Sequence, residues 1–291
     1  MKNKLIEEGV DEVDDQLNQL QKIAQVWRAG RLLSGKTQKE LSRILGLSQA
    51  SISKYESMLL EPSASDWYRF CEFAGLDAHK TLELGYIDGK KKFKHRLHSN
   101  SAFSLPMRYR GDFYLKVREL IPFKDFIIEK LGNEFWLDFL KNHGIPSDIF
   151  LIYDFQISLN FLLDLRKDTQ KHGFDLLDGA LGQVRKDHSH GVLQYEYLKK
   201  KSGVDLLKAV MNSQAYYQNV FEIQSKINEK SISCEFHPSL EASEIFKMED
   251  LQIYMNFKVK SFQEILKMRN FQDDKFEIQQ KENTIYFKLA S

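Results

Sequence analysis

Five residues between positions 49 and 54, namely Gln49, Ala50, Ser51, Ser53 and Lys54, carry the most specific chemistry in this 291-residue chain. An ordinary solvent-facing helix surface is rich in Glu and Lys. This set is short, neutral and hydrogen-bonding, with a single cation. Glutamine can bond adenine with two prongs, and serine can bond several base edges or a phosphate. Alanine can touch a thymine methyl, and lysine can reach guanine or phosphate. Side chains this small also let a helix approach the floor of the major groove. The chemistry is the reading of double-stranded DNA.

Bond-making chemistry has no comparable signature. The chain lacks GxGxxG, GxxxxGK[ST], HExxH and GxSxG patterns. Asp187-His188-Ser189-His190 comes nearest to a metal cluster. Two histidines at i, i+2 suit a loop or strand site, but no neighbouring pair of ligands completes a tetrahedral set, so they read as exposed polar residues. His237-Pro238 reads as structural, and Cys234 as a small core residue in a strand. The expectation is a binding protein and not an enzyme, with no metal and no cofactor.

The reading residues need a scaffold, and the flanking sequence supplies one. Thr37 with Glu40 three positions on has capping-box spacing, which starts a helix. Leu41, Ile44 and Leu45 form its expected buried stripe. Gly46 sits where a turn needs a positive backbone angle, Leu47 plugs the corner, and Ser48 caps a second helix. Ile52 and Tyr55, three apart, face inward and leave the reading residues outside. Before this unit, Ile23, Val26, Trp27 and possible partners Leu32 and Leu33 give a helical stripe that Gly35 can end. After it, Pro62-Ser63 precedes a helix with Trp67, Phe70, Cys71 and Ala74 at helical spacing, ended by Gly75.

Together these residues resemble the helix-turn-helix domain of the Cro/C1 (phage-repressor, XRE-like) family over about residues 22–80. The matching positions are Thr37-Gln38, the small Ser42, Gly46, and Ser48-Gln49-Ala50-Ser51-Ile52-Ser53, followed by Glu56 and Pro62-Ser63. The resemblance implies that Gln38, at a helix N-terminus, holds a phosphate and that Gln49 to Lys54 read bases, with Thr37 and Arg43 also facing DNA. Two departures stand out. Ser42 replaces the commoner alanine, and Met58-Leu59-Leu60 occupies a loop that more often carries Gly and basic residues, which weakens its phosphate contacts and suits an apolar partner.

Charge follows the same division. Residues 1–19, an acidic lead-in, carry two Lys against six Asp/Glu, whereas residues 20–97 carry 14 Lys/Arg against eight acids. The whole chain is +1, which leaves the remainder close to neutral. A positive module attached to a neutral one fits a DNA-facing domain at 20–86. The linker is expected at 87–108, where Lys90-Lys91-Lys92-Phe93-Lys94-His95-Arg96 either follows the phosphate backbone or is a solvated connector. Two distant cysteines, no signal-like apolar stretch at the N-terminus and no apolar run of membrane-span length set the expectation of a cytoplasmic protein.

The domain expected at 109–291 is α+β, with helices first and an antiparallel sheet last. Helices are expected at Phe113–Leu120, Phe123–Leu131, Glu134–Asn142, Phe150–Lys171, Leu176–Arg185 and about Val204–Tyr217. FEIQSKI and SISCEF form a hairpin, LQIYMNFKV a third strand, FQEILKMRN a helix, and FEIQQ with TIYFKL a last hairpin. Apolar runs such as Phe135-Trp136-Leu137-Asp138-Phe139-Leu140 fill a core, line a pocket for a small apolar ligand, or bury a dimer interface. The element order faintly resembles bacterial ligand-sensing domains. The Tyr-x-Ser-x-Arg signature of the haem nitric-oxide-sensing family is missing, so haem is not expected. The reading is a bacterial or phage-type regulator that binds a partly palindromic operator as a homodimer or higher even-numbered oligomer. Its second domain dimerises and senses a ligand; alternatively, it holds a protein partner.

Overall fold

The computed structural model describes residues 20–85, 87, 103–111, 114–186, 197, 199–200, 202–214, 217–227, 231–267, 276–281 and 284–289. The chain divides into two compact units, Met1–Ser104 with Pro146–Phe155, and Leu105–Ile145 with Gln156–Ser291. The division at 104/105 falls in the stretch read as linker. The acidic lead-in, the basic cluster at 90–96 and the histidines at 188 and 190 lie outside the described residues.

The first unit is helical. Helix α1 spans 20–33, followed by α2 (Gln38–Leu45), α3 (Gln49–Glu56), α4 (Ala64–Ala74) and α5 (Ala78–Leu84). Its core is an aromatic cluster around the fully buried Trp27, which stacks on Phe70 at 4.3 Å and meets Tyr55 edge-on at 5.0 Å. Each helix from α2 to α5 has a side-chain N-cap, supplied by Thr37, Ser48, Ser63 and Asp77. Gly46 adopts φ 65°, the left-handed turn expected of it. One expectation fails here: Ile44 is 49% exposed, so the buried stripe of α2 is Leu41, Ser42 and Leu45. The small Ser42 is buried, and its hydroxyl donates to the Lys39 carbonyl at 2.9 Å.

A strap from later in the chain completes this unit. Pro146–Phe155 includes a short 3-10 helix at Ser147–Leu151, and it buries Ile149, Phe150, Ile152 and Tyr153. Ile87 donates its N–H to the Leu151 carbonyl at 2.7 Å and accepts from the Tyr153 N–H at 3.0 Å. Arg28 on α1 reaches Asp148 at 3.0 Å. The expected helix Phe150–Lys171 is therefore replaced by the strap, the strand β2 (Gln156–Ser158) and the helix α7 (Asn160–Lys171).

The second unit begins with β1 (Tyr114–Lys116), antiparallel to β2, where a helix was expected from Phe113. Helix α6 (Val117–Asn142) merges three expected segments, and Gly132 breaks it at φ 86°, a conformation side chains resist. Next come α7, α8 (Leu176–Leu181) with a 3-10 turn at Gly182–Arg185, and α9 (Gly203–Asn212). A four-stranded antiparallel sheet follows, formed by β3 (Phe221–Ile227), β4 (Ser231–Pro238), β5 (Phe276–Lys281) and β6 (Thr284–Leu289) in the order β3-β4-β6-β5. Helices α10 (Leu240–Ile245) and α11 (Met248–Lys267) connect its two hairpins. The α+β class and both hairpins match expectation, but the third strand does not. LQIYMNFKV lies inside α11, which buries Leu251, Tyr254, Met255, Lys258, Phe262, Ile265 and Leu266. That spacing of three and four is helical, and the apparent alternation coincided with it.

Candidate nucleic-acid interface

Helix α3 projects the reading set and is held from behind. Ile52 and Tyr55 are buried, while Gln49, Ala50, Ser53 and Lys54 are exposed and Ser51 is half-exposed. The Tyr55 hydroxyl donates to Asp66 at 2.8 Å. Asp66 also pairs with Arg69, whose second arm donates to the Leu45 carbonyl at the end of α2 at 2.9 Å. At the far end of α3, Glu56 accepts a two-pronged pair from Arg31 of α1, one prong at 2.9 Å. Glu56 also accepts from the Gln38 amide at 2.9 Å. Helices α1, α2 and α4 all grip α3, so the outward face is presented by a rigid backing.

Burial alone would raise the Asp66 carboxyl. Hydrogen bonds from Tyr55, Ser63 and Arg69 outweigh that effect and hold it below its ordinary value. Burial, with the hydrogen bond to Asp66, pushes the Tyr55 phenol up to about 12, so it stays a donor. The buried Cys71 thiol is likewise pushed up to about 12 by burial and is chemically quiet near neutral pH.

The eight sequence candidates divide by role. Gln49, Ala50, Ser53 and Lys54 share the exposed face of α3. The Ser51 hydroxyl lies 2.9 Å from that of Ser48 and works with it in the helix cap. Thr37 and Glu40 satisfy each other in a capping box, at 2.9 and 3.2 Å. Arg43 is exposed in the last turn of α2. The Gln38 amide gives one N–H to Glu56, which leaves its second N–H and its carbonyl oxygen for another partner. The partners Arg31, Asp66 and Arg69 escaped the sequence reading because their roles depend on contacts between helices.

A second polar site lies in the other unit. Lys258 of α11 bonds both carboxylate oxygens of Glu119 on α6, at 3.0 and 2.9 Å, with both side chains about 5% exposed. Its ammonium lies 5.1 Å from the Tyr217 ring centre and 5.8 Å from that of Phe262. With Arg118, Gln214 and Tyr197 these residues line a cavity of about 30 Å³. That volume admits a few non-hydrogen atoms, and no histidine or cysteine lines it. Among the described residues, no group of three or more His, Cys, Asp or Glu could hold a metal ion, and no helix is long and apolar enough to cross a membrane.

A third network, Arg108–Asp164–Tyr109–His143–Asp168, ties the chain near residue 105 to α6 and α7. Arg108 grips Asp164 at 2.6 and 2.7 Å, and the Tyr109 hydroxyl donates to it at 3.0 Å. His143 meets that hydroxyl with Nδ1, and Asp168 lies 3.5 Å from its Nε2.

Comparison with known proteins agrees on the first unit. Residues 28–79 match the helix-turn-helix family model and are a domain of the Cro/C1 type. No curated protein matches the chain. Among solved structures, the Fe(II) unliganded H-NOX protein from K. algicida is similar at 14% identity and TM-score 0.39, covering 60% of this chain and 94% of its own. An alanine-to-glycine mutant of an H-NOX protein from the same organism is similar at 13% identity and TM-score 0.41, covering 61% and 97%. A mutant H-NOX protein from S. oneidensis is similar at 12% and 0.39, with the same coverage of 61% and 97%.

Proposed function

We propose that this chain, built on a Cro/C1-type helix-turn-helix domain at residues 28–79, is a cytoplasmic, sequence-specific transcriptional regulator. It binds a partly palindromic operator as a homodimer, places α3 of each copy in the major groove, and performs no catalysis. The observation that carries the reading is the outward face of α3. It is small, neutral and hydrogen-bonding, and its helix is pinned by Tyr55–Asp66 and Arg31–Glu56. A solvated helix has no need of either feature.

The second unit dimerises and senses a small molecule, whose binding shifts the balance between DNA-competent and DNA-incompetent arrangements of the two recognition helices. The apolar runs that suggested an apolar ligand are spent on packing: Trp136, Phe139 and Phe161 are buried against one another, with ring centres 5.6–6.4 Å apart. The polar cavity beside Lys258 is the better candidate for the ligand. Selection of bound duplexes from a random library tests the proposal. Enrichment of one inverted repeat is the expected result, and recovery of unrelated sequences would refute specific recognition.

A further inference from the structure

Burying a Lys–Glu pair removes two charges from water, and apolar residues of similar volume usually serve stability as well or better. Glu119 and Lys258 are nevertheless enclosed, next to a second cation, Arg118, which is 2% exposed. A bound ligand is one reason to retain such a pair where stability is not.

The hydrogen bonds left over specify what would bind. Lys258 gives its bonds to the two oxygens of Glu119, which leaves an N–H facing aromatic rings and the cavity. Gln214 lines the same cavity and is 4% exposed. Its Nε2 donates to the Val210 carbonyl at 2.9 Å, which fixes the orientation of the amide, because a carbonyl can only accept. Its Oε1 then has no partner. A buried acceptor without a donor costs about 1–3 kcal/mol. An occupant must therefore accept from Lys258 and donate to Gln214. The cavity, about 30 Å³, limits it to a few atoms, and two cations against one carboxylate favour an anion.

We propose that this cavity is the sensing site assigned above to the second unit, and that it takes a small hydroxylated oxoanion of bicarbonate size. The anion's oxygens face Lys258 and its O–H donates to Gln214 Oε1. The sensing role rests on the sensor reading; the site and its ligand do not.

The test is calorimetric titration of the full chain in carbon-dioxide-free buffer near pH 8 with bicarbonate, formate or phosphate. Formate lacks the O–H, and phosphate is the larger, tetrahedral anion. Saturable bicarbonate binding, about tenfold tighter than formate and with no phosphate binding, is expected. Gln214→Leu should abolish the preference over formate. The charge-free pair Glu119→Gln with Lys258→Met should abolish both while retaining the wild-type circular dichroism. Absence of saturable bicarbonate binding overturns the proposal, as does binding that both variants leave unchanged. Operator titrations with and without bicarbonate separate the two readings. Binding without any effect on operator affinity keeps the site and removes its sensing role.

Discussion

Gln49 and Ser53 lie one helical turn apart on the exposed side of α3, so both reach the same stretch of groove. Replacing either with alanine removes a base-edge hydrogen bond and leaves Tyr55, Glu56 and the backing network intact. Each variant should lose about 1–3 kcal/mol of specific binding and tolerate more bases at one operator position. Titration against the operator and single-base variants checks this, and unchanged affinity removes the residue from the reading set. Asp66 makes a different prediction. Its carboxyl is held below the ordinary 3.8, so the folded protein binds fewer protons there than the unfolded chain. Its stabilisation is complete above about pH 4 and is lost as pH falls through the folded value. Asp66→Asn should therefore be less stable than wild type by about 1 kcal/mol at neutral pH. The difference should shrink as pH falls through the folded value, as measured by urea unfolding at neutral and acidic pH.

Helices show which parts of this fold the sequence makes legible. The motif helices α2 and α3 could be read because their caps, turn glycine and apolar spacing are local. Gly30 depends on something no local pattern reveals. A Cβ there would lie 2.7 Å from Phe70 Cζ, and the Phe70 ring stacks on Trp27. Gly30→Ala gains helix propensity of up to about 1 kcal/mol but forces apart a packed aromatic core, at about 1–3 kcal/mol. Net destabilisation is expected in thermal melts, and a stabilised variant would show that Phe70 yields freely. The same limit hid α11. Ile253, Met255, Phe257 and Val259 alternate with Tyr254, Asn256 and Lys258 as a strand would, and nothing local marks Lys258 as buried. Its buried place makes sense only with Glu119, 139 positions away. The exposed face of α3 was thus visible in sequence, whereas its supports and the charged cavity were not, because both are made by contacts between distant segments.

At the scale of the molecule, the chain passes between its units three times, at 104/105, 145/146 and 155/156. Near the first two crossings stand Tyr109 and His143, bonded to each other, and the strap between the second and third pairs with Ile87 through main-chain hydrogen bonds. A single flexible tether would let the DNA-binding unit orient independently. Reading a palindrome as a dimer, the function proposed above, requires the two recognition helices to be held at a defined separation. Rigid dimers read half-sites about 10–10.5 base pairs apart, or multiples of that. Inserting about half a helical turn, ~5 base pairs, carries the second half-site to the opposite face of the duplex. Affinity should then fall towards that of a single half-site, and inserting a full turn should restore part of it. Gel-shift titration across a series of spacers reads this directly. Equal affinity at every spacing would mean that the recognition helices are not held in register.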